Sequence, residues 1–455
     1  MNRVIALGCG VLFAVAAGCG GGGSKPGGTG GSGTGGMGTG GTGTAGAGTA
    51  GAGTAGAGGT GTAGAGGAGA RTVMLMSADA LAFAAGQDGD GAWQALTAAG
   101  AAQTFTLQVT GARYGLAYGC ANAAGDSIGI TVVQATVAET ARVTVACGGL
   151  STATPVTIMG TISGLSSTQS AQVDVAGRAA TVAAGTTTYS VSLPPGTWDL
   201  FARRMTAAPV WDRMIRRNSV TAAAGATFNL DFTTEGFAPE THTITFQGVS
   251  ATESTGQLVI FRNTLGGSPF GLGSPAAGSY FAIPAAQLRS GDYHSVVASA
   301  SDATAGRRVR RIFTTAMDFT ATMPPMVAAP VITVGAATPY VRPRATIPDG
   351  LTANRYDLGY SQTETAPARS RSWALQLTSG WIDAGAETDY VVPDLSAVTG
   401  WQAWWGLAAG VSTNWQQFSQ SSDAGVSDLL RADQTTAELD GREYKITQRD
   451  GMMTF

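Results

Sequence analysis

Histidine is nearly missing from this chain, with two in 455 residues, His242 and His294. They stand in THTITF and DYHSVV, stretches that alternate like strands, and a strand histidine is the plainer reading of each. No His-x-x-x-His pair exists, so zinc-hydrolase signatures are absent. Cysteine is almost as scarce, with four and no Cys-x-x-Cys among them, which leaves zinc and redox motifs without residues. Charged residues make up 12% of the chain and the net charge is −3. That supplies no basic field of the kind that holds nucleic acid, so no nucleic-acid partner is expected. After the first twenty residues no apolar run reaches the roughly 20 residues a membrane span needs. There is no Gly-x-Ser-x-Gly elbow at a strand-to-helix junction and no phosphate loop. No catalytic residue and no cofactor are therefore assigned.

What is present begins at FAVAAGCGGGG, where an apolar run stops at Cys19 and glycine takes over. Arg3 supplies one positive charge, and Val4 to Ala17 form an apolar core of about fourteen residues, short for a membrane span and suited to a secretory signal. Ala16-Ala17-Gly18 before Cys19 resembles the lipobox of bacterial lipoproteins, in which small residues precede a cysteine that is lipidated and becomes the mature N-terminus. Ala16 stands where leucine is usual, while Val15 and Phe13 keep the region apolar. The resemblance implies a signal peptide over residues 1–18, lipidation of Cys19 and attachment to a membrane. Gly20 replaces the aspartate that retains such proteins at the inner membrane, which implies the outer membrane, facing either the periplasm or the cell surface. The competing reading is an ordinary cleaved signal that leaves Cys19 a free thiol.

With Cys9 in the signal and Cys19 lipidated, Cys120 and Cys147 remain as an even pair in an exported chain, and a disulfide is expected. Alternation groups Leu116, Tyr118 and Cys120 on one strand face and Val143, Val145 and Cys147 on another. Closing that loop is worth roughly 3.5 kcal/mol in the chain-entropy model.

Residues 19–71 are almost wholly Gly, Thr, Ala and Ser, with TAGAG recurring at Thr44, Thr49, Thr54 and Thr62. Nothing there can be buried to offset the entropy of ordering, so a disordered tether is expected. As a flexible coil it averages roughly 40 Å end to end and reaches roughly 170 Å when taut.

Beyond the tether, short Val/Ile/Thr/aromatic alternations are split by Gly, Pro, Asn and Asp, which predicts an all-β fold of several tandem antiparallel β-sandwich domains. A repeat organises the middle. TYSVSLPPGTWDLFAR places Tyr189, Val191 and Leu193 on one face before a turn, then Trp198, Leu200 and Ala202. GSYFAIPAAQLRSGDYHSVVASA offers the same grammar, ending on Tyr293, Ser295 and Val297. Each hairpin is followed by an arginine cluster and an Asp-Phe pair, Asp231-Phe232 and Asp318-Phe319, 87 residues apart. Four folded domains are expected: residues 72–150 with the disulfide, sandwich repeats over 151–238 and 239–326, and a tryptophan-rich domain over 327–455, with a short helix within 424–440. The stretch VTIMGTISGL…AQVDVAG…YSVSLPPGTWDLFA also resembles the carboxypeptidase regulatory-like, transthyretin-type β-sandwich. That resemblance implies a structural or binding module and transfers no functional residue.

Three features are candidates for sites. Asp88 and Asp90, in Gln87-Asp88-Gly89-Asp90-Gly91, could hold calcium; a tight hairpin turn explains the same residues. The arginine clusters at 203–217 and 307–311 fit either an anionic ligand or edge-strand charge. Six of the nine tryptophans lie between residues 373 and 415. Trp401, Trp404, Trp405 and Trp415 are the candidates for stacking on sugar, against the reading that they form a core. Trp404 and Trp405, if in a strand, face opposite ways. The expected function is a non-catalytic cell-envelope lipoprotein acting as a scaffold or adhesive stalk, with polysaccharide or envelope proteins as partners. The alternative is carbohydrate binding through those tryptophans. A glycan hydrolase would need two close carboxyls in a cleft.

Overall fold

A computed structural model describes residues 70–100, 103–147, 154–207, 210–263, 270–303, 305–347, 353–382 and 388–455. Residues 1–69, on which the expected signal peptide, the lipidation of Cys19 and nearly all of the expected tether fall, lie outside the described residues. The architecture is all-β. Its first strands are β1 (Arg71–Ser77), β2 (Phe83–Asp88), β3 (Gln94–Ala95), β4 (Ala98–Ala99), β5 (Thr104–Val109), β6 (Arg113–Ala121), β7 (Ser127–Thr136) and β8 (Arg142–Val145).

A seven-stranded sandwich follows, built of β9 (Val156–Ser163), β10 (Ser170–Val175), β11 (Arg178–Val182), β12 (Thr188–Leu193), β13 (Gly196–Ala207), β14 (Val210–Ala222) and β15 (Leu230–Asp231). Alternation sets its core. Ile158, Ile162, Val173, Val175, Tyr189, Val191 and Leu193 are buried, and their strand neighbours turn outward. Gly160 is required where β9 passes the Phe228 carbonyl, since a Cβ there would lie 2.0 Å from the oxygen. The sheets run β11-β10-β13-β14 and β12-β9-β15, with β9 and β15 parallel.

The same order recurs strand for strand in β16 (Glu240–Gln247), β17 (Ser254–Arg262), β18 (Phe270–Gly271), β19 (Ser279–Ala282), β20 (Tyr293–Ser301), β21 (Ala305–Phe313) and β22 (Phe319–Thr322). Here β18-β17-β20-β21 faces β19-β16-β22, again with the first and last strands parallel. The core side of β20 carries Val296, Ala298 and Ala300, whereas Tyr293, Ser295 and Val297 face the other way.

The last strands are β23 (Val331–Ala336), β24 (Arg342–Ile347), β25 (Arg355–Thr365), β26 (Ala368–Thr378), β27 (Thr388–Val391), β28 (Ser412–Ser422) and β29 (Glu443–Thr454). Two pairings correct the division drawn from sequence. First, β7 lies parallel to β26, from Ser127↔Ser370 to Gln134↔Leu377. Residues 72–150 and 327–455 therefore build one unit, and Phe83, Ile128, Ile130 and Val132 share a core with Tyr356, Leu358, Trp373 and Leu375. The physical reason lies in β7, which is buried on both faces. Ile128, Ile130 and Val132 point into that core, while Val133 and Ala135 point into a second core under β4-β5-β1-β8. Second, β21 pairs with β29 from Ala305↔Arg449 to Arg311↔Glu443, so the second sandwich shares its sheet with this composite unit. Among the described residues one sheet of twelve strands results, in the order β18-β17-β20-β21-β29-β28-β25-β26-β7-β6-β2-β3.

The helix expected within 424–440 is two single turns, α1 (Val426–Leu429) and α2 (Thr436–Leu439), the second closed by a capping box of Thr435 and Glu438.

Candidate functional site

Cys120 and Cys147 form a disulfide with Cα atoms 5.4 Å apart, tying β6 to the chain just beyond β8. The other sequence candidates fall into packing roles. Ala403–Trp405 is a 3-10 turn rather than a strand. Trp405 is 3% exposed, its ring stacks on Phe83 at 5.5 Å, and its carbonyl accepts Trp373 Nε1 at 3.0 Å. Trp401 packs against Tyr340, Phe83 and Trp373 within 5.8 Å. Trp404 is half-buried, donating to Gln402 with the Arg369 guanidinium over its ring. Trp401 and Trp404 stand at 83° and 76° to Trp405, so these three share no common plane. Trp415 is half-buried and lies against Gly451.

Asp88 acts as a turn clasp. It accepts from Thr110 N at 3.1 Å and Thr110 Oγ1 at 2.7 Å, and these hydrogen bonds hold its carboxyl below the usual aspartate range. Asp90 is exposed, and no group of three metal-ligating side chains occurs among the described residues.

The arginines of the two clusters are largely turned inward. Arg204 pairs with Asp212, Arg217 with Glu235, and Arg307 with Glu253, whose carboxyl its guanidinium holds down at about 2. Arg216 sits between the two sandwiches. It binds Asp199 at 2.8 Å and Asp292 at 2.6 Å, and Arg289 completes the group on Asp199. Phe201 and Phe261 lie 5.6 and 5.2 Å from its guanidinium. Trp211 extends the junction, donating to the Leu272 carbonyl at 2.5 Å.

His294 is fully buried and its Nε2 accepts from Ile283 N at 3.0 Å, which requires the neutral ring. Burial, helped by His242 nearby, pushes its pKa down to about 4. The unfolded chain takes up this proton near 6.5 and the native chain only near 4, so native stability falls as pH drops through that window. The loss reaches up to about 3 kcal/mol. Urea unfolding at pH 7 and pH 4 should show a smaller difference for His294→Gln than for the unsubstituted chain; an unchanged difference would remove His294 as its source.

A cleft of about 380 Å³ opens between the end of β8 with its disulfide and residues 429–431. Its floor is the face of the twelve-stranded sheet not covered by β23-β24-β27, crossing β6, β7, β26, β25 and β28. Cross-strand register sets a row from Tyr118 through Thr131, Ala374 and Gly359 to Gln416, beside a second row through Gln376, Asp357 and Phe418. Asp357 is buried, and burial pushes its carboxyl up. It is held by Arg355 at 2.9 Å and by Gln420, and Arg355 also donates to the Leu429 carbonyl. Arg431 at the rim is paired with Asp433 and Glu438. Every charge at the cleft thus has a counter-charge.

Glycine in a strand interior costs about 0.5–1 kcal/mol relative to alanine. Gly115 and Gly119 in β6 are explained by packing, because a Cβ would meet Trp93 at 2.7 Å and Phe83 at 2.6 Å. Gly129 and Gly359 on the cleft floor are not. A Cβ on Gly359 would meet nothing closer than 3.8 Å, and one on Gly129 nothing closer than 3.4 Å. Neither has a positive φ. The sequence carries the signal as glycine inside SIGIT and YDLGYS, but the lining residues come together only through the β7–β26 pairing, which sequence reading missed.

No family model matches the chain, and no curated protein does. Among solved structures, it is similar to the chicken CNTN1 FN1-FN3 domains at 9% identity, over 68% of this chain and 88% of that one, with a TM-score of 0.14. So weak a superposition carries neither arrangement nor role across.

Proposed function

We propose that this chain is a lipid-anchored, non-catalytic scaffold of the bacterial outer membrane, holding its β-sandwiches away from the bilayer on the Gly/Thr/Ala-rich tether, with polysaccharide or envelope proteins as partners. Ala16-Ala17-Gly18-Cys19 supports the anchor, and the composition of residues 20–70 supports the tether. The observation that carries the scaffold reading is mechanical. The buried Arg216 group fastens the first sandwich to the second, and the β21–β29 ladder continues the second into the composite unit. Such joints transmit position rather than flex.

The experiment is fractionation of cells carrying the chain, with scattering from the purified protein. Cys19→Ser is expected to lose fatty-acid label and to leave the membrane fraction, its circular dichroism unchanged. Label retained on that variant would overturn the anchor. Scattering from the Cys19→Ser protein should keep the same domain spacing between low and high salt, because buried pairs are little screened. A spacing that changes with salt would overturn the rigid scaffold. Sugar recognition through Trp401, Trp404, Trp405 and Trp415 has less support, with Trp405 inside the core.

A further inference from the structure

We infer that the cleft floored by Gly359 and Ala374 binds a neutral, hydroxyl-rich ligand, one or a few sugar rings of an oligosaccharide, independently of the tryptophans. Its volume of about 380 Å³ falls in the range of roughly 300–1,000 Å³ typical of small-molecule sites. The floor is kept flat by Gly129, Gly359 and Ala374, and at the two glycines neither packing nor backbone conformation requires the missing side chain. Glycine inside a strand often marks a place where a ligand comes close to the backbone.

The lining selects the ligand's chemistry. The side-chain amides of Gln376 and Gln416 line the cleft half-buried, without a hydrogen-bonding partner among the described residues. Each offers an acceptor and two donors, the complement of a hydroxyl that both gives and receives. They stand on β26 and β28, on either side of β25 and two residues apart along the strands, hence roughly 12 Å apart, about 9–10 Å across the sheet and about 7 Å along it. Ala374 and Gly359 lie on the floor beside them, and the Phe418 ring flanks Asp357 in the neighbouring row. A pyranose has this pattern, a rim of hydroxyls around an apolar face of C–H bonds. Charged ligands are disfavoured because Asp357, Arg355 and Arg431 already hold counter-charges.

Calorimetric titration of the full chain with the trisaccharides of glucose and of N-acetylglucosamine, and with galacturonic acid trisaccharide as the anionic counterpart, tests this. At least one neutral trisaccharide should bind, and more tightly than the anionic one. Gly359→Leu fills the floor and should weaken that binding at least tenfold without lowering the thermal midpoint. Gln416→Ala, which removes a half-exposed amide, should weaken it severalfold and serves if the leucine variant misfolds. The inference is overturned if neither neutral sugar binds, if the anionic one binds better, or if the folded variants bind as well as the unsubstituted chain.

Discussion

A chain cut to residues 327–455 should not fold. That stretch contains β23 to β29 and reads as a domain, with its own turns, alternations and tryptophans, yet its strand β26 would face water where β7 belongs. Its core would lose Phe83, Ile128, Ile130 and Val132, buried against Leu358, Trp373 and Leu375. At roughly 1.5–3 kcal/mol for each large apolar side chain, four such losses amount to roughly 6–12 kcal/mol. This is comparable to the entire net stability of a typical domain, roughly 5–15 kcal/mol. The exposed edge would invite pairing with other copies, so aggregation or a coil-like circular dichroism spectrum is expected. Supplying residues 70–147 as a second chain should restore β structure, since it returns β7 and both of its buried faces. A well-dispersed amide spectrum from residues 327–455 alone would refute the composite unit.

What the sequence made legible was what depends on neighbours along the chain. Tyr189, Val191 and Leu193 alternate into the first sandwich core as expected, and the Cys120–Cys147 pair is joined. The all-β class follows from the same alternation. What stayed illegible depends on partners far away in the chain. The run SIGITVVQAT looks like any strand, and its two-sided burial appears only when β26 and the β4-β5-β1-β8 sheet are set around it. The tryptophan cluster was open to two readings because an indole serves both a core and a sugar platform. The 3-10 turn at Ala403–Trp405 turns Trp405 inward and sets Trp401 and Trp404 edge-on to it. The cleft needed residues between 118 and 147, 355 and 376, and 416 and 431 at once. Its only local mark is glycine where a strand would do better with a side chain.

Arg216 and Arg217 are adjacent, identical in chemistry and indistinguishable in the sequence, yet their replacement should differ in cost several-fold. Arg217 pairs with Glu235, and both side chains are about a third exposed, at 31% and 32%. Exposed pairs of this kind are worth about 0–1 kcal/mol, so Arg217→Ala should shift the urea midpoint little. The Arg216 side chain is 1% exposed and its partners Asp199 and Asp292 are 0% exposed. Removing its guanidinium leaves Asp292 without that counter-charge and leaves Asp199 only Arg289, whose side chain is 28% exposed. It also strips the cation that lies against both Phe201 and Phe261. Breaking a buried pair from one side costs about 3–5 kcal/mol. Arg216→Ala should therefore lower the urea midpoint markedly and loosen the first sandwich from the second. Adding Asp199→Asn and Asp292→Asn to that variant should recover part of the loss, because the penalty is that of stranded charge rather than of a missing bond. If Arg216→Ala is no worse than Arg217→Ala, the junction between the sandwiches does not rest on this cluster and the rigid scaffold loses its fastening.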